Sequence, residues 1–144
     1  MDLLVNIDVP DLEGAVAFYM AAFGLRVTRR FGQAAELGGW PVSVYLLQQP
    51  AGSIGAANEQ RRYDRHWTPV HLDVVVDDLD AALARALSAG ARVETGIRTE
   101  TWGRIAGLAD PFGHGICLIQ FLGRGYDEIS APAGALPTNN PPSC

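Results

Sequence analysis

Few residues in this chain could do chemistry. There are three histidines and two cysteines in 144 residues, and all eleven basic residues are arginine. With no lysine, Schiff-base catalysis and the lysine of a phosphate-binding loop are excluded. His71 stands in the apolar run Val70-His71-Leu72-Asp73-Val74-Val75-Val76, where an imidazole can take a proton, orient a ligand, hold a metal or bond a neighbour such as Asp73 or Tyr45. Cys117, within Gly115-Ile116-Cys117-Leu118-Ile119, offers either a thiolate nucleophile beside His71 or a small apolar filler. Asn6, Asp8 and Asp73 interrupt apolar strands, which suits strands lining a wet or ligand-bearing cavity; for Asp8 a surface strand end is the alternative. Trp102 and Arg104 flank Gly103. The indole could wall a site for a flat organic ligand, and the guanidinium could meet a carboxylate or phosphate, or a surface acid. Trp40 and Trp67 are expected in the core or an interface, His66 in a linker, and His114 in local turn bonding.

The elements that must position these residues come as a repeat. Val5 to Glu13 reads like Leu72 to Asp80: an extended β-branched run, then Asp-Leu-acid, with Asp11 and Asp78 67 residues apart. A helical pattern follows each run, with Leu12, Ala15, Val16, Tyr19 and Phe23 on one face of the first and Leu79, Ala82, Leu83, Ala86 and Leu87 on one face of the second. Asp11 and Asp78 suit N-caps, and Gly24 and Gly90 suit left-handed C-caps. Strand-like stretches follow at Leu25 to Phe31, Ala34–Leu37 and Val42–Gln48, and again at Arg92 to Ile97, Gly103–Ala109 and His114–Phe121. Alternation then assigns faces. Val5, Ile7, Val9, Val44, Leu46, Leu72, Val74, Ile116 and Leu118 pack on the helices. Leu4, Asn6, Asp8, Tyr45, His71, Asp73 and Cys117 face the other way.

The bulk properties narrow the function classes. At 48% hydrophobic and 19% charged residues the composition is that of a globular domain. A net charge of -5 disfavours a nucleic-acid partner, and no apolar run is long enough to span a bilayer. The opening Met1-Asp2-Leu3-Leu4 lacks the form of a secretory leader, so a cytoplasmic location is expected, and with it no structural disulfide between Cys117 and the terminal Cys144. No phosphate loop or dinucleotide glycine pattern follows a strand, so no cofactor is expected.

Val9-Pro10-Asp11-Leu12, Ala17-Phe18-Tyr19, Gly24-Leu25, His71-Leu72-Asp73, Val76-Asp77-Asp78-Leu79 and Asp110-Pro111-Phe112-Gly113-His114 together resemble the vicinal oxygen chelate superfamily of glyoxalases, extradiol dioxygenases and bleomycin-resistance proteins. The resemblance covers about residues 2–121. It implies an α+β fold in which two βαβββ modules form a curved mixed sheet cup. The expected domain spans 1–129, with module one at 1–49, a linker at 50–66, module two at 67–122 and a short extension at 123–129; 130–144 reads as a flexible Pro-rich tail. Metal-binding members place a ligand on the first and last strand of each module. The matching positions here are Leu4, Tyr45, His71 and Cys117, of which leucine cannot bind a metal and tyrosine is an uncommon ligand. The expectation is therefore a protein that binds a small organic molecule in the cup without a family-type metal site, using Asn6, Tyr45, His71, Asp73, Trp102, Arg104 and Cys117. The alternative is a lyase, isomerase or dioxygenase-like enzyme with His71 as general base, or as metal ligand with Cys117 for a divalent metal. The resemblance also implies a homodimer.

Overall fold

A computed structural model of the chain describes residues 1–131. The first copy runs β1 (Leu4–Val9), α1 (Leu12–Phe23), β2 (Arg26–Phe31), β3 (Ala34–Gly38) and β4 (Ser43–Gln48), with the strands ordered β1-β4-β3-β2. A hairpin of β5 (Ile54–Ala56) and β6 (Glu59–Gln60) follows. The second copy runs β7 (Leu72–Val75), α2 (Leu79–Ser88), β8 (Arg92–Glu100), β9 (Gly103–Ala109) and β10 (Gly115–Phe121), ordered β7-β10-β9-β8. In each sheet the first strand pairs parallel with the last, and the other pairings are antiparallel. A 3-10 turn, Gly125–Glu128, follows β10. No helix of the described residues is long and apolar enough to cross a membrane.

Both helices begin as the repeat requires. Asp11 Oδ1 accepts from Gly14 N at 3.1 Å and Asp78 Oδ1 from Ala81 N at 3.0 Å, each satisfying an otherwise unpaired first-turn donor. A second device is also duplicated. Gln48 Oε1, at the end of β4, accepts from Leu12 N at 3.3 Å, and Gln120 Oε1, near the end of β10, accepts from Leu79 N at 3.3 Å. Helix α1 ends on left-handed Gly24 (φ 69°), whereas α2 ends on Ala89 with Gly90 (φ 112°) one residue later.

One apolar core joins the copies: Ile7, Val9, Leu12, Val16 and Tyr19 share it with Leu79, Ala82, Leu108, Ile116 and Leu118. At its centre is a polar clamp. Asp110, fully buried, accepts from Tyr19 Oη at 3.0 Å, Phe112 N at 2.9 Å, His114 N at 2.8 Å and bonds His114 Nδ1 at 2.8 Å. The Asp-Pro-x-Gly-His turn of the second copy is thus bolted to the first copy's helix. Burial, then the Asp110 charge, pushes the Tyr19 phenol well above its ordinary pKa.

Two stretches differ from the sequence reading. The connection 50–66 is not a plain linker: it carries the β5–β6 hairpin, tied down where Arg61 Nε donates to Asp8 Oδ2 at 2.6 Å and Tyr63 Oη to Gln49 O at 2.8 Å. Its two short strands have no apolar alternation, so periodicity could not reveal them. Strand β8 extends past Ile97 to Glu100 because β9 supplies partners as far as Gly103. Most of the Pro-rich tail lies outside the described residues.

Candidate ligand-binding site

Strand alternation and the pairing registers place matching rows of side chains on the face of each sheet turned away from the helices. In the first copy Ala35, Leu37, Val44 and Leu46 enter the core, so Glu36 and Tyr45 point the other way. Asn6 pairs with Tyr45, Tyr45 with Glu36, and Glu36 with Arg29. In the second copy Asp73 pairs with Cys117, Cys117 with Gly107, and Gly107 with Thr95. The two outer strands share a device that makes this possible. The register shifts between Val27 and Arg29, and again between Val93 and Thr95, so Thr28 and Glu94 are extra residues of equivalent bulges. Each bulge re-aims the next side chain, Arg29 or Thr95, onto this face.

The first row fills itself. Arg29 Nε donates to Glu36 Oε2, Arg29 Nη2 lies 3.3 Å from Tyr45 Oη, and Ser43 Oγ donates to Glu36 Oε1 at 3.1 Å. The Arg29 guanidinium lies 5.5 Å from the Phe31 ring centroid. Glu36 is buried, and the Arg29 hydrogen bond above all holds its carboxyl below the usual carboxylate range.

The second row leaves a hollow. A methyl group on Gly107 would run into Thr95 Oγ1, which accepts from Gly107 N at 2.9 Å. One on Gly115 would come within 2.5 Å of Arg65 Nη2. Over these small residues opens a cavity of about 270 Å³ bounded by His71, Thr95, Cys117 and Trp67. It meets a second cavity of about 380 Å³ at Thr68, His71 and Gly115, and that one runs along the seam between β1 and β7, past Asn6 and Asp8. The Trp67 side chain, 80% exposed, stands at the hollow with no core to cover. The sides are braced by Arg65, which holds Glu94 through two bonds of 2.8 and 3.0 Å. The far end is closed by the chain itself. Ile129 packs on Trp102, Ile105, Cys117 and Ile119, and Tyr126 stacks on Trp102 at 5.0 Å and Phe121 at 4.8 Å. Partial burial, then the Asp73 charge, raises the Tyr126 phenol.

A chain with this duplicated fold can be set beside known proteins. Residues 4–119 match the family described as Glyoxalase-like domain. The chain belongs to the glyoxalase-like domain family, within the vicinal oxygen chelate superfamily. It is 33% identical over 133 residues to an uncharacterized protein of Mycobacterium tuberculosis, a match covering 85% of this chain and 76% of that one. Among solved structures it is similar to a glyoxalase/bleomycin resistance protein/dioxygenase family enzyme from Burkholderia phytofirmans (TM-score 0.67, 19% identity, 85% and 100% of the chains). It is also similar to TioX from a Micromonospora species (TM-score 0.63, 21% identity, 85% and 99%). Likenesses this remote carry the fold alone.

The metal site of the superfamily is tested by the residues at its positions, and they do not fit. Leu4 has no donor, and Tyr45 Oη is engaged by Arg29. Cys117 is buried and disulfide-bonded, so its sulfur is not a thiolate ligand or nucleophile. The expectation about a bond between Cys117 and Cys144 falls on Cys144, which lies outside the described residues. One cluster among the described residues, His71, Asp73 and Cys117, has its donor atoms within 4.8 Å of one another, but the disulfide removes the sulfur from that set.

The structure therefore brings Asn6, His71 and Cys117 to the two neighbouring cavities, with Asp73 beside them: His71 Nε2 lies 3.1 Å from Asp73 Oδ1. It does not bring the rest together. Tyr45 belongs to the first copy's filled row. Trp102 is buried beneath Tyr126 rather than exposed as a wall. Arg104 lies on the helix side, where Asp80 takes its guanidinium at 2.8 and 3.3 Å. Trp40 packs on Phe23 at 5.5 Å, as a core residue. The sequence reading missed Trp67, Thr95 and Gly107, and the Arg29–Glu36 pair. Glu36, an acid amid Ala34-Ala35-Glu36-Leu37, was the one legible signal; Arg29 and Thr95 depend on the bulges.

Proposed function

We propose that this glyoxalase-like domain binds a small organic molecule in the cup between its copies, over the hollow of the second sheet, without a metal at the superfamily position. The supporting observation is the contrast between the equivalent rows: in the first, Tyr45, Glu36 and Arg29 satisfy one another and leave only Asn6 open at the seam, whereas Asp73–Cys117–Gly107–Thr95 leaves space beside an exposed indole and an imidazole. The seam cavity of about 380 Å³ is within the usual range for a small-ligand site. Trp67 supplies a flat apolar wall, and His71 and Asn6 supply polar hooks. A fragment library screened by thermal shift tests this reading. Hits should lose affinity in Trp67→Ala and in Gly107→Leu, while Tyr45→Phe binds as the wild type does. Hits that respond to Tyr45→Phe and ignore Gly107→Leu would refute it.

A second reading rests on the His71–Asp73 contact. A carboxylate at 3.1 Å from Nε2 can fix the imidazole as a general base toward a carbon acid. In that case His71→Ala abolishes solvent-deuterium exchange into bound ligand while leaving its affinity nearly unchanged. Equal loss of both, or no exchange in the wild type, returns His71 to ligand contact.

A further inference from the structure

A cavity of about 870 Å³, larger than the hollow or the seam cavity, opens between the connection that carries the β5–β6 hairpin and the Asp110–His114 turn. Its two walls are pressed together at Gly113, which is left-handed (φ 95°) and where a Cβ would come within 2.6 Å of Tyr63 O. The chain has a net charge of -5, yet its densest basic run is Arg61-Arg62-Tyr63-Asp64-Arg65-His66. Arg61, Arg62 and His66 of that run all line this cavity. It shares Asp8, Thr68 and His114 with the seam cavity, but neither His71 nor any residue of the Asp73–Cys117–Gly107–Thr95 row.

Two imidazoles reach this cavity with the same nitrogen tied back. His114 Nδ1 bonds Asp110 Oδ2 at 2.8 Å, and His66 Nδ1 bonds Asp64 O at 2.8 Å. A carboxylate and a carbonyl only accept, so the ring proton sits on Nδ1 in both and Nε2 is left as an acceptor. Neither Nε2 has a partner among the described residues. The arginines differ in freedom. Arg61 is held by Asp8 Oδ2 at 2.6 Å, Ser53 Oγ at 3.4 Å and Ile54 O, and it neutralises Asp8. Arg62 is exposed and makes no hydrogen bond or ion pair among the described residues. One open guanidinium suits an oxyanion, and two bare imidazole nitrogens suit O–H donors. We propose that this cavity binds a small acid whose oxyanion lies beside a hydroxyl, with Arg62 on the oxyanion and Nε2 of His66 and His114 accepting from the O–H. A hydroxycarboxylate and a hydrogen phosphate share that chemistry. Glu59 lines the same cavity without a partner among the described residues, and its charge opposes the anion.

The chain's three histidines make the test direct, since His66 lines this cavity alone, His71 lines the seam and the hollow, and His114 lines this cavity and the seam. Long-range proton–nitrogen NMR of the imidazoles follows all three while the full chain is titrated at fixed pH with glycolate or inorganic phosphate. Nε2 of His66 and His114 should shift saturably with at least one of the two, with His71 unmoved, and the tighter probe tells a carboxylate from a phosphate. Acetate and sulfate keep the oxyanion without the hydroxyl, and each should bind about threefold or more weakly than its hydroxylated counterpart. Arg62→Gln should weaken binding about fivefold or more, and Glu59→Gln should tighten it about twofold. Arg26→Gln, at an exposed arginine outside the cavity, should leave it unchanged. No saturable shift at His66 with either probe, equal loss in Arg62→Gln and Arg26→Gln, or a hydroxyl-free anion that binds as tightly as its counterpart would each overturn the proposal. Because His71 reports the other site in the same spectra, failure here is distinguished from failure of the guest site on the second sheet.

Discussion

The two copies of the βαβββ unit keep the same skeleton and spend their concave faces in opposite ways. Both have an aspartate N-cap, a glutamine from the last strand on the helix start, and a bulge at the same place in the outer strand. In the first copy the bulge delivers Arg29 to Glu36, and four polar side chains saturate one another. In the second it delivers Thr95 to the bare backbone of Gly107, and the row stays shallow. On the proposed reading, the duplicated fold holds one site rather than two: one face is filled with its own side chains, and the other keeps room for a guest.

The comparison breaks most completely if the copies come apart. Asp110→Ala would leave Tyr19 Oη, two backbone N–H groups and the His114 ring without their shared acceptor. Urea unfolding should show a loss of about 3 kcal/mol or more. Tyr19→Phe, which removes one of those donors, should cost about 1–2 kcal/mol. It should also change the alkaline limb. A phenol with a raised folded pKa gives stability that is full below the ordinary tyrosine value of about 10 and is lost as pH rises through the folded value. In Tyr19→Phe that part of the decline should vanish.

Next comes the hollow itself. Gly107→Leu gives the second row a filled face and forces Thr95 aside, at about 1–3 kcal/mol measured by thermal or urea unfolding. Ligand binding should be lost with it. Adding Thr95→Ala should recover part of the stability and none of the binding, because the leucine still occupies the space.

The shared helix caps sharpen the comparison at a finer scale. Gln48→Ala should cost about 0.5–1 kcal/mol. Gln120→Ala should cost more, since that side chain also donates to Asp77 O at 2.8 Å and accepts from Arg104 at 3.3 Å. The smallest effect belongs to Glu36→Gln, because its partner Arg29 is largely exposed and the pair is screened by solvent. A carboxyl lowered in the folded state gives stability that is present above its unfolded pKa and is lost as pH falls through the folded value. Glu36→Gln should flatten that acid limb in a pH series of melting temperatures.

Much of the fold was legible because it depends on local chemistry. The Asp11 and Asp78 caps, the helix faces and the split of Val44 and Leu46 from Tyr45 all follow from periods of 3.6 and 2. The site was legible only where alternation reached it, at Asn6, His71, Asp73 and Cys117. A bulge shifts alternation by one residue, and nothing in Val27-Thr28-Arg29 or Val93-Glu94-Thr95 announces it. Arg29 and Thr95 therefore stayed hidden, and with them the reason why one face is full and the other hollow. Arg104 misled for a related reason. Its residue type suits an anion, but its parity in β9 turns it toward α2, where Asp80 waits in the first turn.

The central claim is that a guest sits on the second sheet and not the first. Backbone amide mapping by NMR during titration with a confirmed fragment hit tests it directly. The account predicts shifts concentrated at His71, Thr95, Gly107 and Gly115, with Arg29, Glu36 and Tyr45 unmoved. Shifts centred on Glu36 and Tyr45, with Gly107 and Gly115 silent, would contradict it.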